Sequence, residues 1–101
     1  MIRKTEKNVC FICGKYGPTE RHHCFSGPNR RLAEEDKLVV YLCHSCHNEP
    51  PMGVHFNKEV RRWLQAKAQK AYEELQIGQG STPEEARELF TKRYGRNYID
   101  E

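Results

Sequence analysis

Cys10-Phe11-Ile12-Cys13 and Cys43-His44-Ser45-Cys46 form two Cys-x-x-Cys pairs. Four thiolates at that spacing can close a tetrahedron around one zinc ion. A thioredoxin-like redox motif would need only one pair, in a βαβ setting that this chain lacks. A zinc with four cysteine ligands keeps no open position for substrate, so the expected metal at Cys10, Cys13, Cys43 and Cys46 is structural. Cys24 is left over and is expected as a free thiol in the core. All five histidines fall between positions 22 and 55. The doublet His22-His23 lies between the cysteine pairs, His47 follows the second pair directly, and His55 returns after Pro50-Pro51. His44 reads as a solvated side chain, whereas His47 and His55 are better placed for chemistry.

These groups need a frame, and the composition limits what that frame can be. The chain has 101 residues, 37% hydrophobic and 31% charged, which fits one domain with a small core. Residues 10–47 are too few to be stable on apolar burial alone. A structural zinc would supply the missing stability, on the order of 10–16 kcal/mol in finger peptides at neutral pH. No apolar run approaches the length of a membrane span, and the charged N-terminus has no hydrophobic region behind it, so neither span nor signal peptide is expected. Cysteine pairs without such a signal point to a reducing cytosol and to metal ligation. Seventeen basic against 14 acidic residues give a net charge of +3, a weak pointer to nucleic acid. The local pairs Arg30-Arg31, Arg61-Arg62 and Lys92-Arg93 could track phosphates, although each also suits a solvated face.

The elements follow from pattern. Gly14 permits the positive φ that turns the first knuckle back toward the metal. Residues 19–25 read as a short strand, on which His22 and His23 point to opposite faces. Residues 26–31 are a Gly-Pro loop, and 32–37 are either a helical turn or irregular. Residues 38–42 are the strongest strand signal, ending on Cys43. A short helix is expected from about His44 until Pro50-Pro51 stops it. Asn57 caps a helix over 57–77, Thr82-Pro83-Glu84-Glu85 is a capping box opening a helix over 82–94, and Gly95 ends it. Both helices read as scaffold, with apolar stripes Val60, Leu64, Leu75 and Leu89, Phe90, Tyr94 packed on the sheet or on each other. The fold class is therefore α+β: a zinc-framed ββα module over residues 1–56 and a C-terminal helical extension over 57–101, packed on the same domain.

Cys-x-x-Cys, then His-His on a strand, then Leu-Cys-x-x-Cys-His resembles the HNH (His-Me finger, ββα-metal) endonucleases on a treble-clef zinc frame. The run from Glu20 to Arg31 and the closing Tyr94-Gly95-Arg96-Asn97-Tyr98 look like small phage and prophage HNH proteins of the recombination-enhancing nuclease type. The resemblance covers residues 9–57 well and the tail loosely. It implies that His22 binds a catalytic divalent metal and that His23 is the general base. It also implies that His47 is the next ligand, with His55 as the third. The family asparagine before the second strand is replaced here by Asp36 and Lys37; Asn29 on the loop, or Asn48, would orient the base or touch phosphate.

The implied activity is metal-dependent hydrolysis of DNA phosphodiester bonds, by nicking or double-strand cleavage, leaving 5′-phosphate and 3′-hydroxyl ends. Histidine suits the base because its ordinary pKa of about 6.5 lies near neutrality. Three imidazoles favour zinc, nickel or manganese over magnesium, which cellular abundance could still supply. The expected setting is a bacterial host cytosol, with the chain phage- or prophage-encoded. So small a protein offers little surface for base readout, so weak sequence specificity or a directing protein partner is expected. The competing expectation is a non-catalytic treble-clef module that binds nucleic acid or protein.

Overall fold

The computed structural model describes residues 6–99. The expected lead-in over residues 1–8 falls partly outside that range; within it, Glu6 and Tyr16 each bridge to Val9. The first knuckle turns at Gly14, whose φ of 77° is a left-handed conformation that glycine adopts without strain. Its backbone N–H donates to the Cys10 carbonyl at 2.9 Å.

Two strands follow. β1 spans Glu20–His23 and β2 spans Val39–Leu42. They pair antiparallel with Glu20 opposite Leu42, Arg21 opposite Tyr41, His22 opposite Val40 and His23 opposite Val39. Residues opposite one another share a sheet face. Glu20 and His22 therefore lie on the face of the fully buried Leu42 and Val40, and Arg21 and His23 on the other. Between the strands, a 3-10 turn over Gly27–Asn29 leads into helix α1, Arg30–Glu35. The helical alternative for this stretch is thus the one adopted, shifted by two residues toward the N-terminus.

α2 spans His44–Asn48 directly after β2. β1, β2 and α2, with the four cysteines beside them, make a zinc-binding ββα arrangement within an α+β fold. The chain then turns through Pro50, Pro51 and Gly53. A Cβ on Gly53 would lie 2.6 Å from the Glu49 backbone, so glycine is required where the turn closes on α2. The backbone then runs back along α2, Val54 N–H donating to the Cys46 carbonyl at 2.8 Å and His55 N–H to the His47 carbonyl at 3.3 Å.

α3, Lys58–Gly78, begins where the Asn57 side chain accepts the Val60 N–H. α4, Pro83–Tyr94, begins with the reciprocal capping box of Thr82 and Glu85 and ends at Gly95 with φ 89°. Phe25, Leu38, Val40, Leu42, Val54, Leu64 and Phe90 form one buried core joining sheet to helices. Cys24 is buried within it as a free thiol, as expected.

The apolar stripes are narrower than the sequence suggests. Leu64, Phe90 and Tyr94 are buried and Val60 half-buried, but Leu75 is 51% exposed and Leu89 43%. α4 buries Ala86, Phe90 and Tyr94 at a spacing of four, and Leu89 falls beside that line. On α3, polar Gln69 and Glu73 take buried positions instead. Gln69 donates to Glu73 at 2.8 Å and to Asn97 at 3.0 Å, and accepts the Tyr98 N–H at 2.7 Å. This network lays the tail down so that Tyr98 packs on Phe25, ring centroids 4.9 Å apart. Among the described residues, no helix is long and apolar enough to cross a membrane.

Candidate metal and catalytic site

The cysteine cluster is geometrically closed. The sulfurs of Cys10, Cys13, Cys43 and Cys46 all lie within 4.8 Å of one another, and those of Cys13 and Cys43 are 3.8 Å apart. Zinc–sulfur bonds of ~2.3 Å in a tetrahedron require a sulfur–sulfur edge of ~3.8 Å. Burial pushes the Cys10 thiol up, but backbone N–H groups of Cys13, Cys43 and Ile12 outweigh it and bring it down to about 6. Those N–H groups favour the thiolate, the form that binds metal. The donor set and spacing both fit a structural zinc.

A second cluster joins three elements. His22 comes from β1, His47 from α2 and His55 from the turn that runs back along α2; their ring nitrogens lie within 4.8 Å of one another. His47 Nε2 and His55 Nε2 are 3.0 Å apart. Two imidazole lone pairs cannot face each other at that distance without a shared proton or a cation between them. Ligand bonds of ~2.0–2.1 Å would place adjacent nitrogens ~3.0–3.4 Å apart. His22 is only 7% exposed. Burial, reinforced by His47, His55 and His23, holds its pKa down to about 3, so the ring stays neutral with a lone pair to offer. Burial also lowers His55, with His47 and Arg61 adding to the effect. This group fits one divalent cation, and three nitrogens leave coordination positions open.

Glu20 stands behind the cluster. Its carboxylate lies 2.7 Å from His47 Nδ1, 2.9 Å from His44 Nδ1 and 3.1 Å from Asn48 Nδ2. With Nδ1–H given to Glu20, the Nε2 lone pair of His47 is aimed at His55. Hydrogen bonds from His47 and then His44 hold the Glu20 carboxyl at about 2, and Glu20 in turn raises His44. His44 is thus a partner of this carboxylate as well as an exposed residue.

His23 lies on the opposite face of β1 and outside the three-nitrogen cluster. Its Nε2 is 2.7 Å from Glu34 Oε1, and its Nδ1 accepts from Arg30 Nε at 3.4 Å. Glu34 also receives both guanidinium nitrogens of Arg21, at 2.7 and 2.9 Å. Arg21 first, and His23 second, hold the Glu34 carboxyl at about 2. A cavity of about 460 Å³ is lined by all four of His22, His23, His47 and His55, together with Arg21, Arg30, Arg61 and Gln65. Asn29 is directed elsewhere: its amide donates to the Tyr94 carbonyl at 3.0 Å, and it does not line this cavity.

Comparisons with protein-family profiles, curated proteins and solved structures find no match to this chain. The geometry therefore carries the functional argument alone. Sequence reasoning assigned no role to Glu20, Glu34 or Gln65. The period-two alternation of β1 held a signal for the first of them, since it puts Glu20 on the face of His22, as it puts Arg21 on the face of His23. Glu34 could not be placed until its helix was known.

Proposed function

We propose that this protein is a metal-dependent endonuclease of the HNH type that hydrolyses DNA phosphodiester bonds. The observation that supports this reading is the convergence of His22, His47 and His55 beside a fourth histidine, His23, that is not part of their cluster but lines the same cavity. A metal-bound nitrogen has committed its lone pair, so a general base must be a group outside the ligand set. His23 meets that requirement, and His22, next to it in sequence, would hold the cation. A divalent cation bound there would neutralise charge on the phosphoryl group and on the departing 3′ oxygen.

The chain's own groups account for the rest. His23, which lines the cavity and keeps its Nε2 on Glu34, takes a proton on Nδ1 from the attacking water as the new oxygen–phosphorus bond forms. The phosphorus–O3′ bond breaks on the far side and the departing oxygen takes a proton from solvent, giving 5′-phosphate and 3′-hydroxyl ends. Arg30, whose Nε already lies beside His23 Nδ1, and Arg61, which lines the same cavity, supply positive charge for the non-bridging oxygens. Most of the cavity lining is polar or charged, Arg21, Arg30, Arg61 and Gln65 beside the four histidines, so substrate would be held by polar and charged groups, as a phosphate backbone requires.

The second reading is a non-catalytic module that binds nucleic acid. It draws on Asn29, whose engagement with Tyr94 leaves the cavity without a counterpart of the family asparagine. Incubation of purified protein with supercoiled plasmid and magnesium, manganese, nickel or zinc decides between the two. Nicked or linear product from the wild type, falling ~10²–10⁴-fold in rate in His23→Ala, is the expected result. DNA binding without cleavage under every metal would establish the module.

A further inference from the structure

The proposed base must hold a proton on one ring nitrogen and a lone pair on the other, and nothing in its own strand enforces this. We infer that Glu34 is the positioning residue that fixes the ring of His23, through the hydrogen bond between its Oε1 and His23 Nε2, with Arg21 clamping the carboxylate in place. This rests on the nuclease reading for its consequence, though the hydrogen bond itself can be tested without it.

Three features of the geometry carry the inference. A carboxylate held ionised accepts only, so the hydrogen between Glu34 and His23 belongs to Nε2, and Nδ1 is left as the acceptor. Arg30 donates toward that same Nδ1, at 3.4 Å, which agrees with a lone pair there. The carboxylate cannot swing away freely, because Arg21 grips both its oxygens from the same face of β1.

The helix that carries Glu34 is itself secured at both ends by α4. Asn29, just before α1, donates to the Tyr94 carbonyl at 3.0 Å. At the far end, Arg93 Nε donates to Asp36 at 2.7 Å and Arg93 Nη2 to Glu35 at 3.0 Å, while the Tyr94 hydroxyl donates to Asp36 at 2.5 Å. A six-residue helix would not hold its own register in water. α4 holds it, and so sets where Glu34 meets His23. Asn29 serves in that anchorage, one step removed from the base.

Glu34 is about half exposed, with 51% of its side chain accessible. Ion pairs at such positions add little to folding. Removing it should therefore leave the fold intact and show in the ring and in turnover. The test uses full-length protein with ¹⁵N-labelled histidine. In the wild type, His23 is expected as the Nε2–H tautomer with a slowly exchanging ring proton. In Glu34→Ala the circular dichroism should be unchanged and the protection of that proton lost. Turnover on plasmid should fall ~10–100-fold, by analogy with partners that orient metal-ligating histidines, with metal and DNA affinity retained. Glu34→Gln keeps an oxygen for both Arg21 and His23 and should recover most of that loss. Adding Glu34→Ala to His23→Ala should slow nothing further.

An Nδ1–H tautomer in the wild type, or ring-proton exchange unaltered in Glu34→Ala, would overturn the inference. So would losses that multiply in the double variant. If the wild type cleaves no DNA, the nuclease reading fails by itself, and the ring signals still decide whether Glu34 orients His23.

Discussion

The cysteine cluster and the histidine cluster share helix α2 but differ in how they are put together. The four sulfurs come from two local knuckles, each of which fixes two ligands at once, and they surround their centre completely. The three nitrogens come one each from β1, α2 and the turn beyond it, and they cover only one side. Closed and sulfur-lined suits stability; open and nitrogen-lined suits reaction. The same difference separates their surroundings. Backbone N–H groups attend the Cys10 sulfur, whereas side-chain carboxylates attend the histidines, Glu20 behind His47 and Glu34 behind His23. Backbone donors cannot be swapped by mutation, and carboxylates can, so the two sites should respond to substitution on different scales.

The largest effect should come from the closed site. Cys43→Ser is expected to abolish zinc retention and to unfold the ββα region, removing a contribution on the order of 10 kcal/mol. Metal analysis with circular dichroism checks this, and native structure after complete zinc removal would break the contrast. His47→Ala should leave the zinc and the fold in place while eliminating cleavage through loss of the second cation. Excess divalent metal should then recover part of the activity, which it should not do for His23→Ala. Smaller again is Glu20→Gln, which keeps a hydrogen-bonding side chain without the charge that orients His47. Its cation affinity at the histidine site, followed by titration calorimetry, should weaken ~10–100-fold with thermal stability little changed. Equal effects of Glu20→Gln on both metal sites would mean that the carboxylate serves the frame and not the histidines.

What could be read in advance divides along the same line. The cysteine pairs, the glycine turn at Gly14, the Asn57 cap and the capping box at Thr82 each depend on residues a few positions apart, and each stands where expected. The two strands and both long helices follow within two residues of their expected bounds. Glu34 and Arg21 are 13 positions apart and Asn29 and Tyr94 are 65 apart. No local pattern announces such pairs, because a long-range partner is chosen by where helices dock. Leu75 and Leu89 show the converse limit. Their spacing is that of a buried stripe, but the buried lines run through Leu64, Ala68, Gln69 and Glu73 on α3 and through Ala86, Phe90 and Tyr94 on α4, and both leucines fall outside them.

Cys46 and His47 are consecutive, and the backbone that carries His55 is hydrogen-bonded to the carbonyls of both. A zinc that secures Cys46 therefore reduces the freedom of two of the three nitrogens, and an ion seated among the nitrogens steadies the peptide that presents a zinc ligand. Thermodynamic linkage makes such an influence mutual: whatever factor zinc adds to the affinity of the second ion, the second ion adds to the affinity of zinc. Zinc should accordingly hold out against a higher concentration of chelator when the second centre is kept loaded, although no chelator molecule need ever approach the histidines.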